Sequence, residues 1–241
     1  FLIHWIDISG TILVVVGLMI FSSLFFWQLN QHPSENSDVK MGVVKSMKEG
    51  IAYIYKTKEI LGALCLDMFA VLFGGAVAMI PVFATDILKV GAEGFGLLNA
   101  ASDLGSMCII LTLAFFPLTK NQGKILLIAV AGFGLCIIGF GLSKLYWLSF
   151  FLLVFSGMLD GISVVIRGTI VQLKTPDYIR GRVLSVNSIF IMSSNEMGQF
   201  ESGVAAKLLG VVRSVVFGGT MTVLISLLVA SKVPKLRKMN Y

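Results

Sequence analysis

Long apolar runs are the feature that most constrains what this chain can fold into. Seven stretches are dominated by apolar side chains over roughly 20 residues, which is the length that a helix needs to cross the hydrocarbon core of a bilayer. They run from about Ile8 to Leu29, Ile60 to Phe83, Phe95 to Leu118, Ile125 to Leu142, Leu145 to Leu173, Val183 to Ala205 and Val211 to Ala230. Backbone groups in lipid must pair within their own segment, and the alternating pattern of barrel strands is absent. The expected fold class is therefore an all-α, polytopic membrane protein with seven spans.

Composition excludes most other classes of protein. Of the 241 residues, 56% are hydrophobic and 13% are charged, whereas a soluble domain carries about 25% charged residues. This balance excludes a water-soluble globular fold and a disordered chain. The chain begins with Phe1 rather than Met and lacks the basic segment of a signal peptide. We interpret its start as a cut through a longer chain.

Motifs for other chemistries are missing. The three cysteines lie in apolar runs without Cys-x-x-Cys spacing, so neither a metal site nor a disulfide framework is expected. No phosphate-binding Gly-Lys loop is present, and neither histidine is placed to activate a nucleophile. The aromatic residues suit a membrane interface better than nucleic-acid binding. We therefore expect no enzyme activity, no cofactor and no nucleic-acid partner.

Basic side chains predict the orientation. If the segment after the first run lies in the cytoplasm, that side receives 14 Lys and Arg residues and the opposite side receives four. Short cytoplasmic loops are enriched in these residues. The bias predicts a multi-pass protein of the cell (inner) membrane, with the lipid bilayer as its surroundings and with a cytoplasmic C-terminus.

Polar and ionisable side chains inside the runs follow a period of three. Each charge at the bilayer centre costs about 2.5 kcal/mol or more, so it normally faces protein or water. The cores of the fourth and seventh runs carry no such residue. The second, third, fifth and sixth runs carry Asp67, Asp103, Asp160, Arg167, Asn195, Glu196 and Glu201. We expect the charge-free helices at the periphery. Two units of three helices result, as in the inverted repeats of secondary transporters.

One long connection divides the chain. Residues 30–58 combine turn-forming residues with an amphipathic pattern that predicts an interfacial helix on the cytoplasmic leaflet, with apolar positions Val39, Val43, Val44, Met47, Ile51 and Ile54. This linker either bridges two membrane bundles or is a surface-anchored loop. Residues 1–29 are then the last span of a preceding N-terminal bundle, which makes that missing half of the same chain the expected partner. Residues 59–232 form a six-span bundle, and residues 233–241 form a basic cytoplasmic tail.

The fifth run carries the sharpest candidate site. Asp160 and Arg167 are seven residues apart, so they lie on nearly the same helix face, about 10 Å apart along the axis. Gln172 projects near the cytoplasmic end, and Gly157 and Gly161 have the spacing that permits close helix approach. Two interpretations stay open. Asp160 is either a carboxylate that exchanges a proton beside Arg167, or part of a static ion network that fixes packing.

The sixth run is polar along much of its length, and such a helix needs a cavity or a polar neighbour. Asn195 and Glu196 lie near its centre, and Glu196 is the better candidate for coupling to a proton or cation. Glu201 lies nearer the outer surface, where water can solvate it. In the second run, Asp67 either joins this pathway or makes a capping or interhelical hydrogen bond.

Several segments resemble the C-terminal half of major facilitator superfamily transporters, and more narrowly the enterobactin-exporter type, known as transmembrane secretion effectors. The segments similar to the seventh span, and to the tenth span with its following loop and helix, are residues 66–78, 80–84, 160–173, 175–183, 186–188 and 194–196. The resemblance covers nearly the whole chain. It implies the sixth to twelfth spans of a twelve-span fold.

The resemblance implies alternating access driven by the proton gradient, with export of a small amphiphilic compound from the cytoplasm. Asp177, Arg180 and Arg182 resemble the cytoplasmic gate loop, whose charges would latch the inner ends of helices. Lys120 departs from the superfamily pattern, which has an acid there. The expected substrate and proton pathway comprises Asp160, Arg167, Glu196, Asn195, Asp67 and Gln172. An importer and a lipid flippase are alternative functions within transport. A non-transporting membrane module or scaffold subunit is the alternative outside transport.

Overall fold

The computed structural model describes residues 2–26, 42–237 and 239, and this part of the chain contains helices without any β-strand. Two units are distinguished, Phe1–Lys40 and Met41–Tyr241. The first contributes helix α1, Leu2–Phe26. The second contains α2 Val43–Lys56, α3 Lys58–Phe73, α4 Ile80–Val82, α5 Ala92–Phe115, α6 Gln122–Leu142, α7 Tyr146–Lys174, α8 Asp177–Leu209, α9 Val211–Lys232 and α10 Pro234–Arg237. The first part of the predicted linker, with Val39, lies outside the described residues.

The helical membrane class is confirmed. Among the described residues, five helical segments are long and apolar enough to cross a membrane: Asp7–Phe25, Ala92–Phe115, Gln122–Leu142, Tyr146–Lys174 and Val211–Lys232. The other two predicted spans are helical but depart from a simple apolar rod. The second is interrupted after α3, and the sixth, α8, is 33 residues long but rich in polar side chains. The count of seven spans stays a prediction.

The interruption after α3 follows from two glycines and a proline. The helix ends at Gly74, and the chain continues through a 3₁₀ turn, Ala76–Met79, the short helix α4 and a π turn, Phe83–Ile87. A Cβ at Gly75 would lie 2.6 Å from Ser202 Oγ and 2.9 Å from the Gly198 carbonyl oxygen. The missing side chain therefore allows this break to pack directly against α8. Pro81 lies in the first turn of α4, where its missing N–H is tolerated.

Burial within the bundle does not separate the charge-free helices from the charge-bearing ones, so the peripheral position of the charge-free helices stays a prediction. In the most apolar stretch of each helix, 44% of the residues are buried in α6 and 33% in α9, compared with 39% in the charge-bearing α7 and 17% in the charge-bearing α5. Small residues allow α6 and α9 to approach closely, because a Cβ at Gly134 would lie 2.8 Å from the Gly219 carbonyl oxygen. Ser226 Oγ on α9 also donates to the Leu127 carbonyl oxygen on α6, at 2.8 Å. Helices α6 and α9 therefore pack on each other through small residues and a hydrogen bond.

Two apolar clusters mark the two ends of the bundle. One cluster joins α2, α3, α6, α7, α8 and α10 through buried residues that include Ile54, Ile60, Leu126, Ile170, Val183 and Leu236. The other joins the segment after α3 with α5, α6, α7 and α9 through Phe83, Leu98, Phe140, Leu153 and Val215. The first cluster lies at the helix ends whose connections carry most of the basic residues. These ends are therefore on one side of the bundle, as the sequence predicts, and the assignment of that side to the cytoplasm stays a prediction.

The amphipathic segment of the linker forms α2, which packs against α3 and α8. Ile54 is 2% exposed within the first cluster, whereas Val44 is 68% exposed. A Cβ at Gly50 would lie 2.9 Å from the Arg182 carbonyl oxygen. The C-terminal part of the apolar face of α2 therefore packs on the bundle, whereas Val44 in its N-terminal part is exposed.

The described part of the basic tail is also packed on the bundle. Leu236 is fully buried and Met239 nearly so, and the Gly123 N–H donates to the Met239 carbonyl oxygen at 3.4 Å. A Cβ at Gly123 would lie only 1.7 Å from the Leu236 carbonyl oxygen. The start of α6 thus requires glycine to accommodate the tail.

A Leu236→Ala substitution tests this docking. Removing a fully buried leucine side chain costs about 2–5 kcal/mol, so we expect a clear fall in the thermal unfolding temperature of the complete, detergent-purified protein. Leu228→Ala on α9 is the matched control, because Leu228 is 56% exposed. Equal unfolding temperatures for the two variants would contradict the docking of the tail.

Candidate functional site: a buried ion cluster beside two clefts

Three ionisable side chains meet where α3 packs against α7. Arg167 is 8% exposed, and its Nη1 forms a salt bridge with Asp67 Oδ2 on α3. Its Nη2 lies 3.8 Å from Asp160 Oδ1 on its own helix. Its Nε donates to the Ser163 carbonyl oxygen at 3.2 Å. One guanidinium is therefore shared unequally between two carboxylates.

The local sequence explains the unequal sharing. Asp160 and Arg167 lie two helical turns apart, so a side chain on the same face must reach along the helix, which leaves a long contact. Asp67 comes from the facing helix and meets the guanidinium directly. The Asp67 side chain is 8% exposed, whereas that of Asp160 is 44% exposed. Asp67 is thus committed to a buried pair, while Asp160 stays accessible.

Two clefts open beside this cluster. The cleft that we name the Phe133 cleft has a volume of about 290 Å³ and is lined by Val71, Gly74, Gly75, Ala78, Ser102, Phe133, Asp160, Asn195 and Gln199. The cleft that we name the Arg167 cleft has a volume of about 270 Å³ and is lined by Leu64, Asp67, Val71, Asp160, Val164, Arg167, Gly168, Asn187, Ile191 and Asn195. Asp160 and Asn195 line both clefts. The exposed carboxylate of the cluster therefore lies where the two clefts meet.

The structure brings four of the six predicted pathway residues together: Asp67, Asp160, Arg167 and Asn195. Glu196 is exposed on α8 and lines neither cleft, since it follows Asn195 by one residue and so points about 100° away around the helix. Gln172 is exposed near the end of α7 and lines neither cleft. Pathway roles for Glu196 and Gln172 stay predictions.

The predicted gate-loop residues divide into two pairs at the start of α8. Arg180 Nη2 lies 2.5 Å from Asp177 Oδ1 in the first turn of the helix. Arg182 forms a salt bridge with Glu49 of α2, and Tyr53 Oη of α2 donates to the Lys174 carbonyl oxygen at the end of α7. Helix α2 is thus tied to the ends of α7 and α8. The latching role of these charges stays a prediction.

Sequence reasoning missed the apolar and small members of the clefts. Phe133 lies in the charge-free fourth run, which we expected to face lipid, and Ser102 is a small residue beside Asp103. The available signal was the Gly-Phe-Gly triplet at residues 132–134, because glycines on both sides of an aromatic residue indicate close helix packing around it. Gln199 belongs to the polar sixth run but carries no charge, so it attracted no assignment.

A third, apolar groove runs along α8 away from the ion cluster. Its volume is about 490 Å³, and Leu72, Met197, Phe200, Glu201, Val204, Ala205, Leu208 and Leu209 line it. Glu201, which we expected to be solvated, is half-buried there. Among the described residues, no group of three or more His, Cys, Asp or Glu side chains is arranged to hold a metal ion.

Comparisons with known proteins agree on one class. Residues 10–241 match the family described as transmembrane secretion effector. The enterobactin exporter EntS of Citrobacter koseri is 24% identical over 195 residues, which cover 81% of this chain and 47% of that protein. The chain therefore spans about half the length of this curated relative. No solved structure matches the chain.

Proposed function

Because the chain belongs to the transmembrane secretion effector family, which is of the major facilitator type, we propose that it is the C-terminal half of a proton-coupled secondary transporter. It exports a small amphiphilic compound from the cytoplasm by alternating access, and it is not an enzyme. The observation that carries this proposal is the accessible Asp160 carboxylate, which lies between two clefts and within 3.8 Å of the buried Arg167.

The helix contacts support a six-span bundle made of two inverted three-helix repeats. The first unit is α3, α5 and α6, and the second is α7, α8 and α9. Exchanging the units turns the α5–α7 contact into the α8–α3 contact, and the α6–α7 contact into the α9–α3 contact. The α6–α9 and α3–α7 contacts map onto themselves, and all six contacts are present. A pseudo-two-fold axis of this kind is expected of inverted repeats, and α1 supplies the seventh span.

The exposed polar face of α8 supports a second membrane bundle as partner. Asn195, Glu196 and Gln199 are exposed in the described part of the chain, and such side chains are costly against lipid. A facing N-terminal half of the same protein would enclose them around a central cavity. The chain covers 47% of its curated relative, which leaves room for such a half. We assign the protein to the cytoplasmic membrane with its C-terminus inside, on the distribution of basic residues.

The ion cluster suggests how a proton would be coupled. When Asp160 is ionised, it attracts the second amino group of Arg167. When Asp160 is protonated, this attraction is lost and the guanidinium is held by Asp67 and the Ser163 carbonyl oxygen. A change in the position of α7 relative to α3 would accompany this exchange. The energy source is the proton gradient, and the proposal includes no bound cofactor.

A static scaffold is the alternative from a different class. The buried Asp67–Arg167 pair alone would suit a purely structural network. The accessible Asp160 favours transport, because a packing role does not require a carboxylate at the junction of two clefts.

An Asp160→Asn substitution in the complete protein tests the proposal. Inside-out membrane vesicles are energised with a proton gradient, and uptake of neutral Nile red and cationic ethidium is measured with and without a protonophore. We expect protonophore-sensitive uptake by the wild type to fall to background in Asp160→Asn. Glu93→Gln, which removes an exposed acid in the first turn of α5, is expected to retain it.

Glu196→Gln is measured in parallel as a second candidate coupling residue. Unchanged, protonophore-sensitive uptake by both Asp160→Asn and Glu196→Gln would refute the assigned coupling roles. Uptake that is insensitive to the protonophore in the wild type would favour a flippase, and accumulation only in right-side-out vesicles would favour an importer.

A further inference from the structure

We propose that the Phe133 cleft binds an amphiphilic organic cation, with Asp160 selecting its charge and Phe133 contacting the cationic group. This inference rests on the proposed transport function and adds the chemical class of the substrate. It follows from the charge of the cleft, its aromatic wall and its hydrogen-bonding groups.

The charge of the site is negative when its carboxylates are ionised. Asp67 forms the direct salt bridge with Arg167, and Asp160 lies 3.8 Å from the same guanidinium, so the three groups together carry one net negative charge. Among the residues that line the Phe133 cleft, all of which the structure describes, Asp160 is the one ionisable side chain. A bound anion would be repelled in a site of lower dielectric than water, whereas a cation would be attracted.

The aromatic wall suits the same class of ligand. Phe133 projects from α6 into the cleft that Asp160 also lines. A cation near an aromatic face gains about 0.5–2 kcal/mol from the ring quadrupole. A Cβ at Gly74 would lie 2.7 Å from Phe133 Cε1. The missing side chain at Gly74 therefore makes room for the ring in the cleft that Asp160 also lines. Carboxylate and aromatic ring together recognise an organic ammonium or phosphonium group more readily than a hydrated metal ion.

Neutral polar groups complete the cleft. Ser102, Asn195 and Gln199 line it together with the apolar Val71 and Ala78. Their hydroxyl and amide groups offer hydrogen bonds to the polar part of a ligand, while the apolar side chains contact its hydrocarbon part. The volume of about 290 Å³ is at the lower end for ligand pockets. The site therefore fits the charged head of an amphiphile and leaves its tail to the adjoining surface.

Two ions of the same shape and opposite charge give a direct test. Binding of radiolabelled tetraphenylphosphonium and of tetraphenylborate to the complete, purified protein is measured by equilibrium dialysis. We expect the wild type to prefer the cation. Asp160→Asn should weaken cation binding about tenfold or more, and Phe133→Leu should weaken it several-fold while every charge is retained. Glu93→Gln changes the net charge as much as Asp160→Asn does and should bind the cation like the wild type.

The outcomes separate this inference from the transport proposal. Equal affinity for the two ions, no binding of the cation by folded wild type, or identical cation binding by Asp160→Asn and Glu93→Gln would overturn it. If Asp160→Asn does not fold, an unchanged affinity in Phe133→Leu overturns it instead. Cation-selective binding without proton-driven uptake would support the cation site and refute the transport proposal. Proton-driven uptake without any charge preference in binding would support the transport proposal and refute the cation site.

Discussion

The Asp67→Leu variant of the complete protein is expected to lose about 3–5 kcal/mol of stability, because it leaves the buried Arg167 guanidinium without its closest partner. The effect should be visible as a large fall in thermal unfolding temperature and in the yield of monodisperse protein after detergent extraction. Asp160→Asn should lower the unfolding temperature far less, since Asp160 lies 3.8 Å from Arg167 and is 44% exposed. Transport and stability would then depend on different carboxylates.

A double variant identifies the cause of this loss. Asp67→Leu combined with Arg167→Met removes both charges of the pair and keeps similar side-chain volumes. Because the main cost of the single variant is an unpaired buried charge, the double variant should recover much of the stability. A double variant as unstable as Asp67→Leu would mean that the cost lies in local packing and not in the stranded charge.

We propose that the two sequence-based interpretations of these charges apply to different residues. Asp67 suits the static interpretation, because it is buried and directly paired. Asp160 suits the exchange interpretation, because it is accessible and only loosely paired. The sequence could not separate these roles, since both residues are aspartates within apolar runs. Their difference arises from which helix faces Arg167 across the α3–α7 contact.

Much of the fold could be predicted because a membrane restricts the options. The third, fourth, fifth and seventh runs became α5, α6, α7 and α9, with ends within a few residues of those predicted. The closeness of helix packing could not be predicted. Charge within a run does not indicate it, whereas Gly134 and Gly219 determine how closely α6 and α9 approach. Contact partners of small residues depend on tertiary structure, which a single sequence does not reveal.

The site was predictable where charge marks it and unpredictable elsewhere. Asp160 and Arg167 were identified from their spacing on one helix, and Asn195 from the polarity of its run. Phe133 was missed because an aromatic residue in an apolar run resembles any other lipid-facing residue. The sequence places both Asn195 and Glu196 near the centre of their run, but the rotation of the helix about its axis decides that Asn195 and not Glu196 lines the clefts.

The Gly157→Ala variant is expected to show the second large effect, at the crossing of α5 and α7. A Cβ at Gly157 would lie 1.9 Å from the Ser102 carbonyl oxygen, and a backbone atom cannot rotate away as a side chain can. The two helices would have to separate, with loss of the 2.8 Å hydrogen bond from Ser106 Oγ to the Gly157 carbonyl oxygen. Overpacking costs about 1–3 kcal/mol and sometimes more, so we expect a marked fall in thermal unfolding temperature.

Gly168→Ala supplies the matched control on the same helix. No atom lies within 4 Å of a Cβ at Gly168, so the added methyl group meets open space, and alanine is favoured over glycine within a helix by up to about 1 kcal/mol. The same chemical change about three turns further along α7 should therefore leave the unfolding temperature unchanged or raise it. Similar falls in both variants would show that α7 resists any added methyl group, and that the approach of Gly157 to Ser102 is not the cause. Because Ser102 also lines the Phe133 cleft, separating the helices at Gly157 should weaken binding in that cleft without altering any of its polar groups.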